Sequence, residues 1–232
     1  GAAMERSVRD TSEHRRVIRL LAGGDYSGDR SRFDYSFYAS RWEREESGRL
    51  NPIFRTEGVG YTYSLADPAF PAVSALDGRN LNDPAEFTFL EYTLRKFLTV
   101  DEDRELQINY DQNVEFGAIS GVIRTGAVYR SKERSNRYEQ SVYDGYDAKN
   151  GGALTLERLA NSGQRTVVRD HYLMGPEIEL DAFRKLIAAE PDGFYFNAAR
   201  TRLESDANNY RAREEVTGGY ILNTLKGERW EL

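Results

Sequence analysis

The sequence predicts an all-β fold: an antiparallel up-and-down segment of a transmembrane β-barrel, with about five to six strands and one short loop helix. Three observations carry that expectation. Several stretches alternate apolar and polar residues with a period of two, which gives a strand two different faces. Two of them run from an apolar face into dense charge. The connections between strands are short at one end and long at the other.

Taken in order, residues 1–16 (GAAMERSVRDTSEHRR) lack the apolar core of a signal peptide. Residues 17–26 read as a strand, with Ile18, Leu20, Ala22 and Tyr26 on one face and Val17, Arg19, Leu21 and Asp25 on the other. Residues 27–31 (SGDRS) make a short turn, since Gly and Asp tolerate its backbone angles. Residues 33–42 alternate most cleanly, Phe33, Tyr35, Phe37 and Ala39 against Asp34, Ser36, Tyr38 and Ser40, and end in Arg41, Glu43, Arg44, Glu45 and Glu46. Residues 47–92, with Pro52, Pro68, Pro71 and Pro84, read as a long irregular connection, which a compact domain keeps mainly for function. Residues 93–114 form a long strand that sets Leu106, Ile108 and Tyr110 against Glu105, Gln107, Asn109 and Asp111. A turn containing Gly117 leads into residues 121–138, GVIRTGAVYRSKERSNRY. There Ile123, Thr125, Ala127 and Tyr129 oppose Arg124, Gly126, Val128 and Arg130, and Gly126 marks a place where a bulky neighbour needs room.

A second long connection covers residues 139–209. Inside it Leu180, Phe183, Leu186 and Ile187 recur at helical spacing until Pro191-Asp192-Gly193 stops the helix. Residues 216–222 alternate Val216, Gly218, Tyr220 and Leu222 against Thr217, Gly219 and Ile221. Lys226-Gly227-Glu228 reads as a tight turn, and Trp230 opens a further strand, so both chain ends read as lying inside a longer protein.

Composition excludes several classes. With no cysteine there is neither a disulfide framework nor a thiolate metal site, and two histidines cannot build a multi-histidine centre. The net charge of −6 argues against a nucleic-acid partner, because neutralising phosphates needs a positive excess. Hydrophobic residues make up only 39%, yet 12% are aromatic, with 15 Tyr, which is not the composition of a disordered chain. It suits a barrel wall, where apolar residues are needed only at alternate positions. No apolar run is long enough for a transmembrane helix, which leaves crossing by strands open.

Alternation alone favours an edge strand of a soluble sheet. The sorted connection lengths turn the reading to a membrane barrel, with short periplasmic turns and two long extracellular loops. Five full passes and the start of a sixth are legible, and closed bacterial barrels begin at about eight. The rival is a soluble carbohydrate-binding β-sandwich, in which Ile18, Leu20, Tyr35, Phe37, Ile123 and Tyr220 would face one dry core; the barrel has the same residues facing lipid. A glycosidase-like use of Asp101, Glu102 and Asp103 fits poorly, since adjacent strand residues point to opposite faces.

Residues 33–46 (FDYSFYASRWEREE), 66–71 (ADPAFP), 101–115 (DEDRELQINYDQNVE), 121–134 (GVIRTGAVYRSKER) and 209–223 (NYRAREEVTGGYILN) together resemble the middle of a TonB-dependent outer-membrane receptor, of the type abundant in Caulobacter and Xanthomonas. The resemblance implies that residues 1–232 are part of the receptor's β-barrel, in the outer membrane of a Gram-negative bacterium. The plug domain and the peptide that engages TonB lie outside the chain. It implies energy-coupled uptake of a scarce nutrient (a siderophore, a cobalamin or an oligosaccharide), no covalent chemistry and no cofactor. The partners would be outer-membrane lipid or lipopolysaccharide, the TonB complex and a small-molecule or oligosaccharide ligand. Candidate ligand contacts are the loop aromatics Tyr61, Tyr63, Phe70, Tyr143, Tyr146, Tyr172, Phe194 and Tyr195, whose faces can stack on a sugar or an aryl group. On the lumen side are Arg124 and Arg130, which face an anionic ligand or pair with carboxylates such as Glu105 and Asp111.

Overall fold

A computed structural model describes residues 1–147, 152–161, 163, 165–168, 170–227 and 230–231, with only the backbone of Arg165, Trp230 and Glu231. The fold is all-β and mostly antiparallel, with 66% of the residues in strands. In chain order the strands are β1 (Ala2–Ser7), β2 (Glu13–Ser27), β3 (Ser31–Val59), β4 (Tyr61–Ser64), β5 (Ala72–Ala75), β6 (Thr88–Phe116), β7 (Ile119–Tyr146), β8 (Arg165–Val167), β9 (Tyr172–Met174), β10 (Phe194–Phe196), β11 (Tyr210–Gly227) and β12 (Trp230–Glu231). Two α-helices, α1 (Leu180–Ala189) and α2 (Ala198–Asp206), lie between β9 and β11. The main sheet runs β1–β3–β6–β7–β11–β12, with β2 also on β3 and β10 also on β7. This path is open: among the described residues no pairing joins its two ends.

The five expected passes are β2, β3, β6, β7 and β11, with β12 as the start of a sixth. Their lengths differ from expectation. β3 continues through residues 47–59, which the prolines and glycines marked as loop, and β7 continues to Tyr146. Gly48 and Gly58 explain how β3 carries on: both have positive φ, which glycine adopts without strain, so irregularities are absorbed rather than ending the strand. The extension pairs with β1, Arg6 opposite Phe54 and Ser7 opposite Ile53; β1 has no apolar alternation that would announce a strand. Between β6 and β7 only Gly117 and Ala118 are needed, Gly117 having a φ of +62°. The expected turn at Lys226-Gly227-Glu228 includes a residue outside those described, but Gly227 pairs with Trp230.

The chain divides into two compact units. The first comprises residues 1–12, 46–96 and 139–207, and the second comprises 13–45, 97–138 and 208–232.

The first unit has a conventional dry core. Leu50, Phe54, Phe87, Tyr92, Leu154, Leu156, Leu159, Ile178, Phe183, Leu186 and Phe194 form one buried cluster. Phe183 is fully buried because the helical spacing in α1 turns it and Leu186 inward, where it meets Phe54, Tyr92 and Phe194 edge-on at 5.5–6.4 Å. Helix α2 has no apolar stripe, which is why the sequence hid it. It forms because Asn197 caps it, accepting from the Arg200 amide at 2.9 Å. It then covers the edge of β7: the Asn197 amide donates to the Val142 carbonyl at 2.9 Å. In return the Val142 and Gln140 amides donate to the hydroxyls of Thr201 and Ser205 at 2.9 and 3.0 Å. Arg6 reaches from β1 to the carbonyls of Leu81 (2.7 Å) and Pro176 (3.1 Å), lying over the Phe87 ring, and so ties two connections together.

The second unit contains no buried residue among those described. It is one layer of sheet.

Two measurements check the first unit. Replacing Phe183 by Ala should cost about 3–5 kcal/mol, read as faster amide exchange across residues 139–207. Burial, reinforced by the Tyr143 ring stacked at 4.5 Å, pushes the Tyr92 hydroxyl above its usual value. A folded-state value above the unfolded one gives stability that is complete below about pH 10 and falls as pH rises further. Tyr92→Phe should therefore weaken the alkaline loss of structure followed by circular dichroism.

Candidate functional site

The candidate residues fall into three places. The first is the hairpin β4–β5. Its register sets Tyr61 opposite Ala75 and Tyr63 opposite Val73, so both tyrosines and Val73 share one face, and all three side chains are more than half exposed. The hairpin's turn carries Phe70, whose ring stacks on His171 with centroids 3.3 Å apart. Beside it the Tyr172 hydroxyl donates to the Pro71 carbonyl at 2.8 Å. Phe70 and Tyr172 therefore lie where the β4–β5 and β8–β9 hairpins touch, while Tyr61 and Tyr63 stand along the exposed face of β4. His171 belongs to the same group and was missed, because its partner lies about a hundred residues away in sequence.

The second place is the core of the first unit, and it claims three candidates. Phe194 is only 5% exposed, so it cannot present a face to a ligand; its ring packs on Phe89, Tyr92 and Tyr146. Tyr143 lies flat on Tyr92, and β10 explains why: Phe196 sits opposite Tyr143 and Phe194 opposite Tyr146, a pairing the sequence could not show. The Tyr146 hydroxyl donates to Glu190 and accepts from Arg158 at 3.2 Å, while Arg158 donates to Glu190 at 2.8 Å. Burial and that carboxylate push the Tyr146 hydroxyl up. Tyr195 alone of this group is more than half exposed, and its hydroxyl donates to Asp147 at 3.2 Å.

The third place is the sheet of the second unit. Arg124 donates two hydrogen bonds of 2.7 Å to Asp111, and Arg130 donates to Asp103 at 3.1 and 2.6 Å. Arg134 adds a further forked pair with Asp101 at 2.5 and 2.6 Å. The pairing with carboxylates was legible. Asp111 is the partner for Arg124, whereas Asp103, with Glu105 at 3.9 Å, serves Arg130. Each fork satisfies both oxygens of its carboxylate and locks β6 to β7 along one face.

The β7–β11 register and single contacts between β2, β3, β6 and β7 place the strands' alternating side chains on two faces. Asn109 donates to Asp34 at 2.8 Å and accepts from the Tyr220 hydroxyl at 2.9 Å, placing both on the arginine face. Arg41 donates to Glu102 at 2.8 Å on the other. Tyr220 stands directly opposite Gly126, and its ring occupies the space a side chain there would need. The glycine was read correctly as making room. The expected grouping of Tyr220 with Ile123 is incorrect: direct pairing puts Ile221, opposite Thr125, on the Ile123 face instead. That face carries Ile18, Leu20, Tyr35, Phe37, Leu106, Ile108, Tyr110, Ile123, Thr125, Ala127, Tyr129 and Ile221, and its apolar band ends in the charges of Arg41, Glu43, Glu102, Arg104, Glu133, Arg211 and Arg213. The Arg211 guanidinium holds the Glu133 carboxyl below its usual range.

No family model, curated protein or solved structure matches the chain. Among the described residues no three acidic or histidine side chains converge to hold a metal ion, and no helix is long and apolar enough to cross a membrane. Asp101 and Asp103 are paired with arginines on one face while Glu102 faces the other way, so this acidic run is not gathered about one point. What the exposed aromatics can offer is stacking area; what the second unit offers is a two-faced wall.

The Gly126–Tyr220 contact has a direct check. Gly126→Ala should disfavour the β7–β11 pairing by about 1–3 kcal/mol, an overpacking cost. Adding Tyr220→Ala should restore much of it, read as the folded fraction by circular dichroism in detergent.

Proposed function

We propose that the chain is a wall segment of a TonB-dependent outer-membrane receptor, which takes up a scarce nutrient caught by its extracellular loops. The observation that carries this reading is the second unit: a single antiparallel layer with no buried residue among those described, one face carrying an apolar band along β2, β3, β6 and β7 with Ile221 of β11, and the other carrying Arg–Asp forks between β6 and β7. In water such a layer leaves its apolar face unsatisfied. Lipid against that face and an aqueous lumen against the other satisfy both at once. On β2 the apolar alternation runs from Ile18 to Tyr26, close to the roughly 9–11 residues that a tilted strand needs to span a bilayer. Above Tyr129 the face becomes ionic, as expected on leaving the hydrocarbon.

Further strands would complete the wall, since five passes are fewer than the roughly eight of the smallest closed barrels. The first unit, built from the long connections, would be exposed outside the cell. Its exposed Tyr61 and Tyr63, with Phe70 and Tyr172 at the turn of the same hairpin, provide stacking area for a siderophore, a cobalamin or an oligosaccharide. Coupling to TonB and the plug would come from outside this chain. The sandwich alternative asks Ile18, Leu20, Tyr35, Phe37, Ile123 and Tyr220 to share a dry core. None of them is buried, and Tyr220 is on the opposite face from Ile123.

Gel filtration of the refolded chain distinguishes the two. The receptor reading expects aggregation without detergent and a monodisperse species with it; a monodisperse detergent-free monomer would refute the membrane assignment. For the ligand surface, Tyr61→Ala with Tyr63→Ala should reduce retention on immobilised oligosaccharide or siderophore columns by about tenfold or more while leaving the Phe183 core intact, on the stacking energies expected of two exposed aromatic faces.

A further inference from the structure

The pairing of β11 with β7 stops where Tyr210 stands opposite Asn136, and β10 meets β7 only from Tyr143. Between these points the backbone of β7 is bonded chiefly by side chains. Asn209 accepts from the Tyr138 amide at 2.8 Å and donates to the Tyr138 carbonyl at 2.9 Å. Ser205 accepts from the Gln140 amide at 3.0 Å and donates to the Gln140 carbonyl at 3.3 Å. Thr201 accepts from the Val142 amide at 2.9 Å, and the Asn197 amide donates to the Val142 carbonyl at 2.9 Å. The spacing makes this possible. Residues four apart on a helix rise about 6 Å, and residues two apart on a strand rise about 6.7 Å. Thr201 and Ser205 of α2, with Asn209 just past its end, therefore serve every second residue of β7, as a paired strand would.

Little else holds α2 in place. None of its residues is buried, and Leu203 is 69% exposed. Its 9 residues fall short of the roughly 12–15 at which an isolated helix becomes even marginally stable. Arg200 adds an ion pair with Glu91. Meanwhile the chain that could form a true strand here is already alongside. Continuing the β7–β11 register past Tyr210 sets Asn208 opposite Tyr138, Asp206 opposite Gln140 and Glu204 opposite Val142. Backbone groups of those three residues would then replace the side chains of Asn209, Ser205 and Thr201 one for one. A helix without an apolar stripe buries nothing that extension would expose.

We propose that α2 is a removable stand-in for a strand: residues 204–209 exchange between their helical arrangement and an extension of β11 along β7 as far as Val142. The extension takes over the Val142 carbonyl that the Asn197 amide holds, two residues beyond the exposed Tyr195. A molecule that grips Tyr195 in only one of the two arrangements would bias the exchange toward it. Nothing in this exchange depends on the medium around the sheet.

The test is residue-resolved amide hydrogen exchange on the whole chain, in buffer or detergent, whichever keeps it monodisperse. In the helix the amides of Ser205, Asp206 and Ala207 are all bonded. In the extension only Asp206 faces β7, while Ser205 and Ala207 point away from it. Asp206 should therefore exchange several-fold more slowly than both neighbours, an alternation that fraying from a helix end cannot produce. Ala198→Gly with Ala199→Gly, both outside the extending segment, should lower the helix population about twentyfold. Ser205 and Ala207 should accelerate by about that factor, and Asp206, Gln140 and Val142 by distinctly less. A wild-type chain without the alternation at Asp206, or a double variant in which all five amides accelerate by one factor, would overturn the proposal and leave α2 a fixed cover of the edge. Should the double variant fail to fold, the wild-type alternation decides alone.

Discussion

A β-sheet one layer thick has two faces, and a single solvent cannot suit both when one is apolar. That constraint governs the second unit. Its backbone groups are satisfied by antiparallel pairing over long strands, and its polar face is closed by forked Arg–Asp pairs from β7 to β6. Among the described residues no second layer lies on either face within the unit, so Ile18, Leu20, Ile123 and Ile221 keep their exposure.

The first unit answers the same thermodynamic demand in the ordinary way. Its two long insertions fold back on the extensions of β3, β6 and β7 and bury Phe54, Phe87, Phe183 and Leu156. Helix α2 and β10 cover the edge of β7, so the backbone there is not left open. Stability of this unit rests on aromatic packing; that of the second rests on pairing, forks and its medium. The exposed tyrosines of β4–β5 are the ones that packing leaves over.

Local pattern made much of the sheet legible. The alternation at Phe33–Ala39 and Ile123–Tyr129 set the faces of β3 and β7, Gly126 announced a crowded neighbour, and the spacing of Leu180, Phe183 and Leu186 located α1. Strand extensions were not legible, because Pro52 and the glycines at 48 and 58 ordinarily signal loops, and a strand that carries bulges tolerates them. The candidate site was half legible. Aromatic identity marked Tyr61 and Tyr63 as usefully as Tyr143 and Phe194, and nothing local separates a ring that stacks on a ligand from one that stacks on Tyr92.

By itself the sequence determined which residues can share a strand face, where turns fall, and which arginines need carboxylates, because these depend on neighbours two to four positions apart. Only the tertiary structure decided that Tyr220 belongs with Arg124 rather than Ile123, that Phe194 is core, and that His171 meets Phe70. Each depends on register or contact between distant segments. A one-residue change of register exchanges the faces of a whole strand, so periodicity alone cannot assign them across a sheet.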